Sequence, residues 1–573
     1  MALEGAPRPA SVDAGNTKSD VFEKTDVEDG AVQGIESSPD TSLHRGLKAR
    51  HISMIAIGGA IGTGLIIGTG RALAQAGPGS VFISYVTIGT VVYFVMGALG
   101  EMSSWLPMSS GFTGYASRFC DPSLGFALGW LLWLKYIIIT PNQLTVGSLV
   151  VQFWIPRETL NPGVFITIFI VLILIINFLG IKYFGEVEFW LSSFKVLTLL
   201  GLIIFSLVLV LGGGPDKDLK GFRYWQNPGA FKEYIDQGDW GRFLGFWSSM
   251  VNAVFAYLGT ELVGITVAEA QNPRKTIPKA IRLTFFRILV FYCLSSLLVG
   301  MLVPYDSPEL IFASKAKTSA SASPFVVAAT LAGVDILPHI INACILVFIF
   351  SACNTDLYIA SRTLYALSSD GKAPRIFKRT NKKGVPYYAL GASAVFCLLA
   401  YMNISESSTV VFGYFVNVSS ILGLLTWVSI LVTHICFVRA RKAQGLPDEK
   451  MPYVAPCGIW GSYIALAVCI LVGLTKHFDV FTRWSQEPFG ISKYKTFITG
   501  YLGIPVYIGI ILGHKYFTKS VRVRSSSADF YTGKDIIDRE EEAFLASKEA
   551  EELANPRSKW LSWVYKKFLS WLF

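Results

Sequence analysis

Charge is what this chain has least of. Only 16% of its 573 residues are Asp, Glu, Lys or Arg, while 52% are apolar. A soluble domain carries about 25% charged residues. The deficit excludes an ordinary soluble fold and points to a polytopic membrane protein. Cysteine is sparse as well. Six of the eight cysteines (Cys293, Cys344, Cys353, Cys397, Cys436, Cys469) fall in apolar segments, and Cys120 and Cys457 fall in loops assigned below to the cytoplasm. No structural disulfide is expected. No group of residues has metal-ligand spacing, no cofactor is implied, and no nucleophile–base constellation suggests an enzyme. The N-terminus is polar and acidic, unlike a cleavable signal peptide. The formal net charge of +10 sits largely in short loops between apolar runs, so it does not indicate nucleic acid.

What is abundant is long apolar sequence. Twelve segments lie near 52–75, 81–106, 124–155, 163–180, 187–212, 243–268, 283–303, 324–353, 387–403, 410–437, 459–476 and 496–517. Most suit a membrane helix of about 17–25 residues. The expected class is all-α, a polytopic membrane protein with twelve transmembrane helices. An even number of spans places both tails on one side. Lys372, Arg375, Lys378, Arg379, Lys382 and Lys383 precede span nine, Arg274, Lys275, Lys279 and Arg282 follow span six, and Arg439, Arg441 and Lys442 follow span ten. All fall on the side of the tails, which is therefore cytoplasmic. Residues 1–44 read as a disordered cytoplasmic tail, 45–517 as the helical domain, and 518–573 as a cytoplasmic C-tail. Lys18 and Lys24 are either modification sites, with ubiquitin-ligase adaptors as partners of the tails, or plain solvated lysines. The end of the C-tail alternates aromatics with Lys566 and Lys567, a pattern that suits the inner membrane surface.

The stretch Ile57-Gly58-Gly59-Ala60-Ile61-Gly62-Thr63-Gly64-Leu65-Ile66 interrupts the first apolar segment. Each helical glycine costs up to about 1 kcal/mol relative to Ala, so a break is expected here. Broken backbone at membrane depth must be buried or line a cavity. Freed N–H groups at Gly62, Thr63 and Gly64 suit a carboxylate. The alternative is a glycine face for close helix packing. Span six carries a second interruption, Phe255-Ala256-Tyr257-Leu258-Gly259-Thr260-Glu261. Spans one and six each open a group of five. Interrupted helices in corresponding positions of two halves mark a transporter site.

Several pieces are familiar together: Leu47-Lys48-Ala49-Arg50-His51-Ile52-Ser53-Met54-Ile55-Ala56-Ile57-Gly58-Gly59, Gly100-Glu101-Met102, Phe189-Trp190-Leu191-Ser192-Ser193-Phe194-Lys195-Val196, the run 255–261, and Glu269-Ala270-Gln271-Asn272-Pro273-Arg274-Lys275. They resemble the fungal amino acid permeases of the amino acid–polyamine–organocation superfamily, over roughly residues 45–570. Thr140-Pro141-Asn142-Gln143-Leu144-Thr145 and Phe350-Ser351-Ala352-Cys353-Asn354-Thr355-Asp356-Leu357-Tyr358 resemble the members that carry glutamate and aspartate. The resemblance implies a LeuT-like core of two inverted five-helix repeats, 52–212 and 243–437, with two extra helices at 459–517. It implies proton-coupled amino acid uptake at the plasma membrane.

The resemblance also implies that the substrate's α-carboxylate meets the segment Ile61, Gly62, Thr63, Gly64, and that its ammonium meets carbonyls at Phe255, Ala256 and Leu258. Phe255 and Tyr257 either line or gate the pocket or simply pack. Gln143 stands where many relatives carry a glutamate, and an amide there removes repulsion against an acidic substrate. Lys135 lies eight residues earlier, about 80° away around a helix. It either contacts the substrate, snorkels, or pairs with Glu101 or Glu186. An anion entering a negative-inside cell is opposed by about 2.3 kcal/mol per charge per 100 mV, so co-transported protons are needed. Lys195, Glu261 and Glu101 are the candidate proton groups, with His339 and His434 as lesser ones. A broad-specificity or neutral permease, and a sensor that binds without transporting, are the alternatives.

Overall fold

The computed structural model describes residues 62–108, 110–215, 217–262, 264, 273–310, 323–404, 408–481 and 490–554. Ile61 and the rest of 52–61, the N-terminal tail, residues 265–272 and the aromatic end of the C-tail lie outside the described residues. Among the described residues every regular element is a helix. A π-helical turn, Gly64–Gly68, runs into α1, Thr69–Ala76. Then come α2, Pro78–Trp105, a short α3, Gly111–Phe119, α4, Pro122–Val151, α5, Pro162–Leu179, α6, Ile181–Val210, and α7, Gly238–Tyr257. Further on, α8, Pro273–Arg287, passes through a π segment into α9, Ser295–Leu302. α10, Pro324–Leu331, precedes α11, Leu337–Ser369; α12, Tyr387–Val395, leads into a 3-10 segment ahead of α13, Ser408–Ala443. The chain closes with α14, Gly458–Thr475, α15, Ile491–Tyr501, α16, Gly503–Thr518, and α17, Lys534–Ala554.

Local chemistry sets these boundaries. α4 starts at Pro122, with the Asp121 carboxylate accepting from the Ser123 N–H at 2.8 Å. α5 repeats the device with Pro162 and Asn161. In both, the side chain satisfies a donor the helix cannot, and Pro supplies a preset φ. α5 and α6 are separated by Gly180 at φ +105, a conformation open to glycine.

Among the described residues, ten helices are long and apolar enough to cross a membrane. The two expected spans not among them are one and six, the pair expected to be interrupted. One expected boundary is corrected. The run 324–353 is not a single span: α10 stops at Leu331, Gly333 turns the chain at φ +70, and α11 runs from 337 to 369. Hydropathy merged the two because the intervening turn is short.

The faces of the helices agree with a bilayer. α5 leaves Ile168, Val171, Ile175 and Phe178 about half exposed while burying Ile166 and Ile173. A contiguous apolar stripe of this kind suits lipid rather than water. α4 is instead the buried axis, packed by α11, α13 and α5.

The segment after α16 folds back on the bundle. The Val523 N–H donates to the Cys120 carbonyl at 2.9 Å, and the Trp105 indole donates to the Phe530 carbonyl at 3.1 Å. Phe530 is fully buried, with Phe119 and Phe437 at 5.1 and 5.3 Å between ring centroids. Arg274, on α8, pairs with Asp538 at 2.5 Å and Glu541 at 2.9 Å on α17. Residues 519–554 thus bind one end of the bundle, the tail end.

Candidate functional site

Where the chain enters its first described helix, another helix stops. Gly62 is non-helical and helical geometry begins at Thr63. α7 ends at Tyr257: Leu258 is extended (φ −59, ψ 143) and Gly259 sits at φ +92. The two segments touch. A Cβ built on Gly64 would lie 2.6 Å from the Ala256 Cα and 3.0 Å from the Phe255 carbonyl oxygen. Close packing and a broken helix, alternatives at the level of sequence, therefore coincide at this glycine.

Between them lies a small cavity of about 30 Å³. One wall is Gly62, Thr63 and Gly64, and the facing wall is Phe255, Ala256, Leu258 and Gly259. α4 contributes Tyr136, Ile139 and Gln143, and α11 contributes Ala352 and Asp356. The N–H groups of a starting helix favour an anion, and a helix C-terminus favours a cation. One molecule carrying both charges fits this polarity. A chain of polar contacts crosses the cavity wall: the Thr63 hydroxyl donates to Gln143 Oε1 at 2.8 Å, and Gln143 Nε2 donates to Asp356 Oδ2 at 3.4 Å. The buried Tyr136 hydroxyl has no hydrogen-bond partner among the described residues.

Gly62, Thr63, Gly64, Gln143, Phe255, Ala256 and Leu258 thus line one cavity, and Ile61 lies outside the described residues. The Phe255 carbonyl accepts from the Leu258 N–H at 3.3 Å. Tyr257 is turned away from the cavity: its hydroxyl donates to the Tyr85 carbonyl at 3.0 Å and its ring stacks on Tyr292. It packs.

Lys135 is fully buried and is not part of the lining. It forms an ion pair with Glu261, not with Glu101 or Glu186. The Trp427 indole donates to the other Glu261 oxygen at 3.4 Å. The pair joins α4 to the chain just beyond the α7 break. Lys195 pairs with Glu188 at 3.5 Å, and the same Glu188 oxygen accepts from Ser192 and Ser351 at 2.9 and 2.7 Å. This ties α6 to α11. Glu101 lies at the tail end of α2, held by His434 at 3.2 Å, the Ala455 N–H at 2.8 Å and Arg441 at 3.6 Å. His339 accepts from the Trp154 indole at 3.0 Å.

Asp356, Tyr136 and Glu188 went unassigned at the level of sequence. For Asp356 the signal existed: a carboxylate well inside an apolar helix is a functional candidate by default.

An apolar helical bundle, with a buried polar cavity where one helix starts and another stops, is the architecture of a membrane carrier. The model of the amino acid permease family matches residues 51–526. The dicarboxylic amino acid permease of Saccharomyces cerevisiae is 52% identical over 93% of this chain and 87% of its own length. The basic amino-acid permease of the same yeast is 41% identical, over 86% and 85%. The proline-specific permease of Emericella nidulans is 37% identical, over 93% and 96%. The chain belongs to the amino acid permease family. It is a membrane transporter of amino acids.

Proposed function

We propose that this permease carries acidic amino acids, L-glutamate and L-aspartate, into the cell together with protons, by alternating access at the plasma membrane. The observation that carries the proposal is the cavity, closed by a helix start on one side, a helix end on the other, and an amide at Gln143 on the wall between. The α-carboxylate binds the N–H groups of Gly62, Thr63 and Gly64. The ammonium binds at the end of α7, at the carbonyls of Phe255, Ala256 and Leu258. The neutral Gln143 tolerates a second carboxylate where an acid would repel it. The 52% identity to a dicarboxylic amino acid permease supports the same substrate class.

The proposed frame has twelve spans, two inverted five-helix repeats (52–212 and 243–437) and two added helices, with spans one and six as the broken pair. The tail end faces the cytoplasm, where the basic loops favour it, and both termini lie there. Ubiquitin-ligase adaptors are proposed partners of the tails. Lys135 acts through Glu261, and Lys195, Glu261 and Glu101 are proposed to change protonation during the cycle. All three sit in buried ionic contacts that couple neighbouring helices.

The test is uptake of labelled L-glutamate at pH 5 in a permease-deficient host, with and without an uncoupler, against unlabelled Asp, Lys and Leu. Uptake lost with uncoupler and competed by Asp alone is expected. Equal competition by Leu would replace this reading with a broad-specificity permease. Binding without uptake would make the protein a sensor.

A further inference from the structure

Among the described residues, five acidic or basic side chains are buried near the cavity: Lys135 on α4, Glu261 just beyond α7, Lys195 and Glu188 on α6, and Asp356 on α11. The two lysines pair with the two glutamates. Asp356 is the remaining carboxylate. It lines the cavity and is 8% exposed. Among the described residues it has no cation within 4.0 Å, and its hydrogen-bond donor is the Gln143 amide at 3.4 Å. From α4 it is faced by Lys135 and Tyr136, and from α6 by Lys195 and Glu188. α5, α10 and α12 carry no charged residue, and Arg375 and Lys378 lie in the 3-10 turn beyond the tail end of α11. A buried charge with a single neutral donor is poorly compensated.

An acidic amino acid brings two carboxylates to this cavity. One takes the helix start at Gly62, Thr63 and Gly64. The other needs donors on the remaining wall. The Tyr136 hydroxyl is one, and the Gln143 amide is already turned to Asp356. Ionised, Asp356 only accepts and repels the substrate. Protonated, it becomes a donor. We infer that Asp356 carries one proton into the cell with each acidic substrate, donating it as a hydrogen bond to a substrate carboxylate while both occupy the cavity. The proton binds an Asp356 oxygen from outside water and returns to cytoplasmic water when the cavity opens there. The substrate leaves as the anion that entered, and the net movement is one substrate and one proton inward on this group. The inference rests on the acidic-substrate reading above and adds the residue that links substrate to proton.

The experiment compares wild type, Asp356→Asn and Asp356→Glu for KM of labelled L-glutamate between pH 5 and 7. Purified protein in proteoliposomes is used in counterflow exchange, which needs no net proton flux. Thermal melting of each variant is measured alongside. Wild-type KM should rise about tenfold per pH unit once the linked carboxyl ionises. Asp356→Asn mimics the protonated acid, so its KM should change less than about twofold over the whole range if one proton is linked through this group. Asp356→Glu should restore the rise. A wild-type rise retained in Asp356→Asn overturns the inference, as does loss of exchange at both pH values in an Asp356→Asn protein that melts like wild type. If Asp356→Asn does not fold, Asp356→Glu decides, because a rise with an unchanged midpoint overturns it. A wild type that exchanges glutamate with a flat KM overturns this inference alone. A wild type that exchanges no acidic amino acid overturns the substrate reading beneath it.

Discussion

Gly64 and Ala256 are in backbone contact across the cavity: any side chain on Gly64 would enter the space of the Ala256 Cα, 2.6 Å from an ideal Cβ. The obstacle is main chain at the end of α7, which no rotamer change can move aside. Gly64→Ala must push the helix start and the α7 end apart, a cost of about 1–3 kcal/mol by the measure of overpacked cores. The expected outcome is at least tenfold slower uptake per molecule at the cell surface. Gly68→Ala, one turn further on, is the matched control, because a Cβ there meets only the Phe255 ring at 3.8 Å, an ordinary contact. Radiolabel uptake normalised to surface-biotinylated protein distinguishes the two.

Lys135 and Glu261 form an ion pair with both side chains at 0% exposure. Removing one partner strands the other as an uncompensated buried charge, a loss of about 3–5 kcal/mol. Lys135→Ala and Glu261→Ala should each lower the melting temperature of detergent-purified protein. The double variant Lys135→Met/Glu261→Leu should recover much of it, since apolar replacement of both partners is often neutral. If Lys135 instead served by direct contact with substrate, uptake and not stability would be the property lost in Lys135→Ala. Melting curves on the three variants decide.

Much of this arrangement was legible in the sequence because it rests on backbone. Glycine at 62 and 64, and at 259, forecasts helix ends, since no other residue relieves a close approach or a φ of +92 so cheaply. Charge pairing was less legible. Nothing local links Lys135 to Glu261 or Glu188 to Ser351, because those contacts depend on how α4 meets the chain beyond α7 and how α6 meets α11; Lys195 and Glu188, seven residues apart on α6, share one helix face and were legible as a pair. Asp356 stood in plain view in an apolar run, yet only the packing of α11 against α4 turns it to the cavity. The α10–α11 division was hidden because hydropathy averages over a turn as short as Gly333 and its neighbours.

Gln143 bridges Thr63 and Asp356, donating to one and accepting from the other. Gln143→Glu keeps the shape but places a second carboxyl 3.4 Å from Asp356. A glutamate there can still accept from Thr63, so the wall should fold. It cannot donate to Asp356 unless protonated, and it adds repulsion toward an acidic substrate, worth about 4 kcal/mol between two full charges 4 Å apart at an effective dielectric near 20. Uptake of L-glutamate and L-aspartate is expected to fall at least tenfold, more at pH 7 than at pH 5. Competition profiles with Glu, Gln and Leu at both pH values check it. A variant that takes up glutamate as wild type does at pH 7 would remove Gln143 from substrate discrimination.

The tail offers a prediction outside the membrane, where acid titration has a definite sign. Burial raises the Asp529 carboxyl, but the backbone N–H and hydroxyl of Thr532, the N–H of Tyr531 and the Arg118 guanidinium outweigh it and bring it down to about 2. The N–H contacts are both 3.0 Å and the Arg118 contact is 2.9 Å. An undocked aspartate titrates near 3.9 by the usual reference. A group depressed in the docked state stabilises docking above its free value and loses that contribution as pH falls toward about 2. Docking should therefore be constant from pH 7 to 5 and weaken only below about 4. Asp529 is 45% exposed on its side chain, so its share is small beside that of Phe530, whose buried ring touches Phe119 and Phe437. Phe530→Ala, at about 3–5 kcal/mol for a buried aromatic, should free the segment at neutral pH. Limited proteolysis at Arg522 and Arg524 in detergent reads the difference: wild type protected and Phe530→Ala cut at pH 7, with Asp529→Asn between them. Equal protection of all three would mean that α17 and Arg274 hold the segment by themselves.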